Sequence, residues 1–264
     1  MSVPIQAVIF DLDDTLLVDE AESQRALLET ARFVKATSPD VFAKSVIHTA
    51  EEIWQQNPLL DWCQQLGHSS LEGLWCEYKG ENEELRILAD WQSKYLSEVW
   101  TYACEQNGVA QNLAMEAACY FRTERDRLHP WMPGAKEVLR RIQQTKLKVA
   151  ILTNGISALQ WKKITRSGLQ NHFQTIVVSG DYGRGKPDPS IFFHTLKKLD
   201  LTPEKCLMVG NNPRSDILGA QRAGLRTCWL QLDGVTYPKE QLAPDYTIVN
   251  LQELLTLKEV FLGP

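Results

Sequence analysis

The 264-residue sequence lacks several features that would assign it to a familiar class of protein. No apolar run approaches the roughly 20 residues that a membrane helix needs, and the first residues lead into AVIFDLDDTLL without the layout of a signal peptide. The six cysteines form no C-x-x-C pair and the five histidines no H-x-x-x-H pair, so a disulfide framework and a zinc site have no support. These absences predict a cytoplasmic protein with reduced thiols.

Basic charge is also in short supply, because 33 acidic side chains outnumber 28 Lys and Arg and give a formal net charge of −5. This balance argues against a nucleic-acid protein, and we expect neither nucleic acid nor a membrane as a partner. The hydrophobic content of 44% is enough for a substantial core, either in one large domain or in one domain that carries an inserted second domain. The sequence does not predict the oligomeric state.

Short apolar runs rich in Val and Ile mark the predicted strands, and amphipathic helical patterns separate most of them. Runs bounded by polar or Gly residues are typical of strands that are buried on both faces. Alternating strands and helices predict an α/β fold, a Rossmann-like parallel sheet covered by helices. The clearest strands are AVIF (7–10), VAILT (149–153), TIVVS (175–179) and CLMVG (206–210), with TCWL (227–230) and an edge strand near DYTIV following.

Residues 20–127 contain no comparable strand and are predicted to form helices only. We therefore assign residues 1–19 and 128–264 to the catalytic core and residues 20–127 to an inserted all-helical domain. Five of the eight tryptophans lie in the insertion, where packing in a helical bundle is the simplest interpretation. Its last helical stretch carries Arg122, Arg125 and Arg127, which we expect on a solvated helix face; the alternative is that one of them meets an anionic substrate.

The stretch GDYGRGKP (180–187) matches a phosphate-binding P-loop as far as its lysine, with Gly180, four residues, Gly185 and Lys186. A P-loop continues with Ser or Thr, whose hydroxyl binds Mg²⁺. This chain has Pro187, which offers neither a hydroxyl nor a backbone N–H. The P-loop match is therefore incomplete, and Lys186 either handles phosphate in another way or is an ordinary surface lysine.

Polar side chains follow four of the predicted strands, and ligands of open parallel sheets bind beyond the carboxyl ends of the strands. We expect these side chains to converge on one edge as a phosphoryl-transfer site. In chain order they are Asp11 and Asp13, then Thr153 and Asn154, then Lys186, and finally Asn211 and Asp216.

The chemistry of this set follows from the residue types. Asp11, directly at a strand end, can attack phosphorus and form an acyl-phosphate, and Asp13 can protonate the leaving oxygen and then activate water. Mg²⁺ between the carboxylates and the phosphate would offset their repulsion. Thr153 and the backbone N–H of Asn154 would hold phosphate oxygens, and Lys186 would pair with Asp11 and the phosphate as a compact charge.

The pattern resembles the haloacid dehalogenase superfamily, whose four motifs are present in order as DLDDT, LTNG, GKPDPSIF and VGNNPRSDILGAQRAG. The resemblance is to its phosphatases with a helical cap, in particular the N-acylneuraminate-9-phosphatase and pyrimidine nucleotidase branch. It implies a Mg²⁺-dependent phosphomonoesterase that acts on a small phosphorylated metabolite, a sugar phosphate or a nucleotide. The implied metal ligands are Asp11, the backbone carbonyl of Asp13, Asp216 and, at the position where the family usually has Asp, Asn211.

Two other functions and two other residue roles stay open. A metal-free 2-haloacid dehalogenase would use the same aspartate nucleophile on carbon, and a binding or regulatory protein would have a catalytically weak site. Asn211 favours both of these functions over the phosphatase. Asp216 could serve as a helix-cap residue without a metal role, and Asn211 could simply hydrogen-bond its own loop.

Overall fold

The computed structural model describes residues 3–257, which form two compact units. The core unit comprises the described residues up to Val18 and from Pro130 onward, and the helical unit is Asp19–His129. The chain leaves the core unit after Val18 and returns to it at Pro130. These two points are close together, because the Val18 N–H donates to the carbonyl of Pro130 at 2.9 Å and the Met132 N–H donates to that of Leu16 at 2.8 Å. Residues 1, 2 and 258–264, which the predicted core includes, lie outside the described residues.

The core unit is built on a parallel sheet, which confirms the predicted α/β class. Its strand order is β3-β2-β1-β4-β5-β6, so the first strand of the chain lies near the centre. Each neighbouring pair is parallel. The strands are β1 (Ala7–Phe10), β2 (Lys148–Thr153), β3 (Thr175–Val178), β4 (Cys206–Gly210), β5 (Arg226–Leu230) and β6 (Tyr246–Ile248).

The central strands are buried on both faces because their side chains alternate between two apolar clusters. Val8 and Phe10 of β1 belong to one cluster, and Ala7 and Ile9 belong to the other. In register, Phe10 pairs with Ile151 of β2 and with Val209 of β4. The residues that follow these three strands are therefore brought to the same edge of the sheet.

The helical unit, which lies wholly within the described residues, contains helices and no strand, as predicted for residues 20–127. Its helices are α1 (Glu20–Phe33), α2 (Pro39–Trp54), α3 (Leu60–Leu66), α4 (Ser70–Gly73), α5 (Glu83–Gln106) and α6 (Ala114–Arg127). Trp54, Trp75 and Trp100 are buried, as expected of bundle packing. That this unit acts as a cap stays a prediction.

Helices cover the sheet of the core unit, and their ends follow recognisable cap chemistry. They are α7 (Ala135–Ile142), α8 (Ser157–Ser167), α9 (Ser179–Tyr182), α10 (Pro189–Leu199) and α11 (Gly219–Arg222). Gly168 ends α8 in the left-handed conformation with φ 79°, and the Asp188 side chain caps α10 by accepting from the Ser190 N–H. A π-helix, Pro213–Leu218, precedes α11, and a 3₁₀ helix, Leu251–Thr256, follows β6.

Arg125 corrects one expectation, because it does not lie on a solvated helix face. Its side chain is 1% exposed, its Nε donates to Ser23 Oγ at 2.8 Å, and its Nη2 pairs with Asp19. The guanidinium also lies over the ring of Trp75, 4.3 Å from the ring centroid. A helical position that faces the bundle can hold an arginine when a carboxylate and an aromatic ring meet it.

Across residues 3–257, no helix combines the length and the apolar character that crossing a membrane would require.

Candidate active site

Asp11 is the first residue after β1, and a tight turn follows it. Its backbone N–H donates to the carbonyl of Val209 at 2.9 Å, which continues the β1–β4 ladder by one residue. The N–H groups of Leu16 and Leu17 both donate to the carbonyl of Leu12, at 2.8 and 2.9 Å. The turn therefore closes within a few residues and keeps Asp13 near the strand end.

Lys186 joins two of the predicted carboxylates. Its Nζ lies 2.5 Å from Asp11 Oδ1 and 2.7 Å from Asp216 Oδ1. All three residues are buried, and Asp216 is fully so. A buried ammonium between two carboxylates is held in place by both, which positions it against the oxygen that would attack.

Burial and charge shift the pKa values of this group. Burial raises the pKa of Asp11 to about 6, with the charge of Asp216 adding to the effect and Lys186 opposing it. Burial alone would lower the pKa of Lys186, but Asp11 and Asp216 outweigh it and raise that pKa above its usual value. The lysine therefore stays charged between the two carboxylates that it contacts.

Asn154 holds the backbone of Lys186 in place. Its Nδ2 donates to the Lys186 carbonyl at 2.8 Å, and its Oδ1 accepts from the Lys186 N–H at 2.8 Å. Thr153, the last residue of β2, is 1% exposed, and its Oγ1 lies 3.3 Å from the Asn154 carbonyl and 3.4 Å from Gln160 Oε1. The amide side chain of Asn154 therefore supports the lysine, and the predicted contacts of both residues with phosphate stay predictions.

The loop after β4 fixes Asp216. Its Oδ1 accepts from Lys186 and Ser215, and its Oδ2 accepts from the Asn212 N–H at 2.9 Å. Gly210 makes room for this carboxylate, because a Cβ there would lie 2.3 Å from Asp216 Oδ2. Asp216 thus anchors Lys186 and its own loop, and its predicted part as a metal ligand stays a prediction.

Two oxygens that could bind a cation lie near the hydroxyl of Thr15. The Thr15 Oγ1 lies 3.4 Å from Asp11 Oδ2 and also 3.4 Å from Asn211 Oδ1, and the Asn211 carbonyl is held by the indole N–H of Trp229 at 2.9 Å. Among the described residues no three His, Cys, Asp or Glu side chains form a metal-binding group. Mg²⁺ needs no such group, because it accepts one or two carboxylates together with water and phosphate oxygens. One carboxylate, that of Asp11, and one amide oxygen, that of Asn211, therefore fit it.

Lys163 is a functional candidate that the sequence motifs did not reveal. It belongs to α8, its side chain is 1% exposed, and its Nζ lies 3.0 Å from Asp13 Oδ2. Gln160, three residues earlier on the same helix, is fully buried as well. Gln160 and Lys163 share the buried face of the helix with Leu159 and Ile164. The helical periodicity of this segment was therefore the available sign that these two polar residues would be buried.

The structure therefore brings the predicted residues together at the carboxyl edge of the sheet. Asp11, Lys186 and Asp216 are in direct contact, Asn154 touches the lysine backbone, and Asn211 shares Thr15 with Asp11. A buried carboxylate paired with an ammonium, with a second carboxylate two residues away, is equipped for hydrolysis through a covalent intermediate. The fold and site define a hydrolase, and the role of Asp11 as its nucleophile stays a prediction.

The chain belongs to the haloacid dehalogenase-like hydrolase family, whose model matches residues 5–224. Phosphoserine phosphatase from Thermus thermophilus is 36% identical over 95% of this chain and 98% of its own length. Human N-acylneuraminate-9-phosphatase is 28% identical over 96% of this chain and 93% of its own. These relatives confirm the resemblance to phosphatases of this superfamily.

Solved structures show the same fold. The HAD-hydrolase YfnB from Bacillus subtilis, whose structure holds magnesium, superposes with a TM-score of 0.67 at 23% identity, over 96% of this chain and 98% of that one. Dehalogenases share the fold too. The fold alone therefore does not separate attack on phosphorus from attack on carbon.

Proposed function

We propose that the protein is a Mg²⁺-dependent phosphomonoesterase that hydrolyses a small phosphorylated metabolite through an aspartyl-phosphate on Asp11. The observation that carries the proposal is the buried pair of Asp11 and Lys186, with Asp13 two residues further on. The named relatives at 36% and 28% identity are both phosphatases, which supports attack on phosphorus.

The reaction has two displacements. In the first, an oxygen of Asp11 forms a bond to phosphorus, the bond from phosphorus to the leaving oxygen breaks, and Asp13 gives its proton to that oxygen. In the second, water attacks the phosphorus of the aspartyl-phosphate and loses a proton to Asp13. The bond between phosphorus and Asp11 then breaks, so that phosphate leaves and both carboxylates return to their starting states.

The residues that would hold Mg²⁺ are Asp11, the backbone carbonyl of Asp13 and the amide oxygen of Asn211, with Asp216 as a further candidate. When bound, the ion would supply positive charge that offsets the repulsion between the anionic nucleophile and an anionic phosphate. Lys186 contributes charge to the same end and keeps Asp11 oriented. Solved YfnB, which shares the fold, was found with magnesium.

The substrate class is a small phosphorylated metabolite, a sugar phosphate, a nucleotide or a phosphorylated amino acid such as the one named in the Thermus relative. We place the reaction in the cytoplasm, because all six cysteines, every one within the described residues, are free thiols.

A metal-free 2-haloacid dehalogenase is the alternative that Asn211 and the dehalogenase structures favour. Halide leaves without a proton, so such an enzyme has no use for a proton donor at Asp13. The presence of Asp13, held by a buried lysine, supports the phosphatase. A binding or regulatory protein with a weak site is the second alternative.

One experiment separates the three functions. The purified protein is incubated with a panel of phosphorylated metabolites and 2-haloacids, with and without Mg²⁺, while phosphate and halide release are measured. Phosphate release that requires Mg²⁺ supports the proposal. Halide release without metal would replace it by the dehalogenase, and no turnover at high protein concentration would favour the binding protein.

A further inference from the structure

Lys163 lies on α8, one of the helices that cover the sheet, and its side chain is buried against Asp13. Lysine is almost never fully buried unless it is paired, because its charge loses water on burial. The Lys163 side chain is 1% exposed, whereas the carboxylate that it meets, Asp13, is 25% exposed. The Asp13 side chain is therefore partly exposed, although its Oδ1 is buried, and its Oδ2 contacts an ammonium that the fold encloses.

Each of the two carboxylates of the DLDDT motif, Asp11 and Asp13, contacts a different buried lysine. Lys186 contacts Asp11 and Asp216, and Lys163 contacts Asp13. They also come from different elements, Lys186 from the loop after α9 and Lys163 from α8. The nucleophile and the proton-transfer group thus have separate supports.

We propose that Lys163 is the positioning residue for Asp13, holding its Oδ2 so that the carboxyl group stays where it can exchange a proton with the leaving oxygen and then with water. This inference rests on the proposed function and deepens it. Lys163 touches Asp13 and acts through it, so it is not itself a catalytic residue.

The physical reason lies in the geometry that proton transfer requires. A proton donor must lie within about 2.6–3.2 Å of the oxygen it protonates, and a misplacement of about 1 Å can cost on the order of 10²-fold in rate. Asp13 belongs to a turn in which Asp14 adopts φ 54°, so the strand ladder does not fix its side chain. An ion pair to a residue on a helix supplies that restraint.

The test compares leaving groups, because a good leaving group needs little protonation and a poor one needs much. Phosphate release from p-nitrophenyl phosphate and from an alkyl phosphate is measured for the wild type, Lys163→Met, Lys163→Arg and Asp13→Asn. We expect Lys163→Met to lower the ratio of alkyl to aryl kcat/KM by about tenfold. Lys163→Arg, which keeps the charge, should restore most of that ratio.

A double variant shows whether Lys163 acts through Asp13. In the Asp13→Asn background, adding Lys163→Met should change the alkyl-to-aryl ratio by less than about twofold, because residue 13 then has no carboxyl group that could transfer a proton. Lys162→Met, at the neighbouring half-exposed position of α8, is the matched control and should keep the wild-type ratio.

A purely structural salt bridge gives a different result. If the salt bridge only stabilises the fold, Lys163→Met would lower phosphate release from the aryl and the alkyl phosphate equally, because the alkyl-to-aryl ratio does not depend on the fraction of folded enzyme. Additive losses of that ratio in the double variant would mean that Lys163 does not act through Asp13. Either result overturns the inference. If Lys163→Met yields no folded protein, Lys163→Gln carries the same comparison. A wild type that releases no phosphate from any compound would overturn the proposed function itself, which is a distinct failure.

Discussion

Asn154 and the backbone of Lys186 exchange two hydrogen bonds of 2.8 Å, one in each direction. The side chain at the end of β2 thereby fixes the loop that carries the lysine, and the lysine in turn reaches both Asp11 and Asp216. The position of the site's central charge therefore depends on an amide whose two hydrogen bonds go to the lysine backbone and not to either carboxylate.

Replacing this amide should therefore impair catalysis from a distance. We expect Asn154→Ala to lower kcat by about 10–100-fold, because Lys186 and its loop lose their restraint. Two backbone groups also lose their partners, which should cost about 1–3 kcal/mol of unfolding free energy for each one left buried. Steady-state kinetics and denaturant unfolding measure the two effects.

Asn250→Ala is the matched control for this prediction. Asn250 also holds backbone through its side chain, accepting from the Glu253 N–H, but it does so at the 3₁₀ helix after β6. It should lose a comparable part of the stability, about 1 kcal/mol, and keep its kcat. A native kcat in Asn154→Ala would show that the lysine loop needs no such support.

The nucleophile assignment predicts the largest single loss of activity. Asp11→Asn cannot form the acyl-phosphate, so turnover should fall by roughly 10⁴-fold or more. Folding should persist, since Lys186 keeps Asp216 as its partner. Phosphate release and thermal unfolding are the measurements.

Asp14→Asn provides the control within the same turn. Asp14 adopts φ 54°, a conformation that Asn tolerates well, and we assign it no part in the chemistry. It should retain near-native turnover. Equal losses in the two variants would mean that the turn, and not the Asp11 carboxylate, is what the reaction requires.

The sequence predicted the local features of this site and the pairing of Lys186 with Asp11, but it missed the pairing of Lys163 with Asp13. Strand runs, their polar ends and the turn residues depend on neighbours along the chain, so the sequence alone was enough to predict that Asp11, Lys186 and Asp216 share one edge of the sheet. The pairing of Lys163 with Asp13 joins residues 150 positions apart. Periodicity assigned Lys163 to a helix, but it gave no means of identifying the partner.

Arg125 was misplaced for the same reason. Three arginines near the end of a helical pattern are most simply solvated, and the contacts that bury Arg125 come from Asp19 and Ser23 at the other end of the insertion. Such a partner, 106 positions away, is set by how α1 and α6 pack. Local pattern does not contain that information.

The helical unit should govern substrate choice, and the chain offers a clean way to remove it. Because Val18 and Pro130 are joined by a backbone hydrogen bond of 2.9 Å, residues 19–129 can be replaced by a short loop. The resulting core should still hydrolyse p-nitrophenyl phosphate, because this substrate is small and has a good leaving group. It should discriminate poorly among phosphorylated metabolites.

The measurement is kcat/KM over a metabolite panel for the full chain and the shortened core, after circular dichroism has shown that the core is folded. A folded core with the substrate preference of the full chain would contradict the prediction. In that case the specificity residues would have to lie in the core unit.

Asn211 stands where the resemblance led us to expect Asp, and it gives the sharpest test of the metal site. Its Oδ1 and Asp11 Oδ2 lie at the same distance, 3.4 Å, from Thr15 Oγ1, so the side chain is near the carboxylate expected to bind Mg²⁺. Asn211→Asp would place a second carboxylate there. Coulomb attraction at ligand distance amounts to several kcal/mol per charge before desolvation, even at an effective dielectric near 20.

We therefore expect Asn211→Asp to lower the Mg²⁺ concentration at half-maximal activity by about tenfold, which corresponds to about 1.4 kcal/mol. A Mg²⁺ titration of wild type and variant on one substrate measures it. Asn212→Asp is the control, since the Asn212 side chain caps the adjacent helix by accepting from the Arg214 and Ser215 N–H groups, a task that Asp performs equally well. An unchanged half-saturation in Asn211→Asp would show that Asn211 serves its loop and that the ion relies on Asp11 and other ligands.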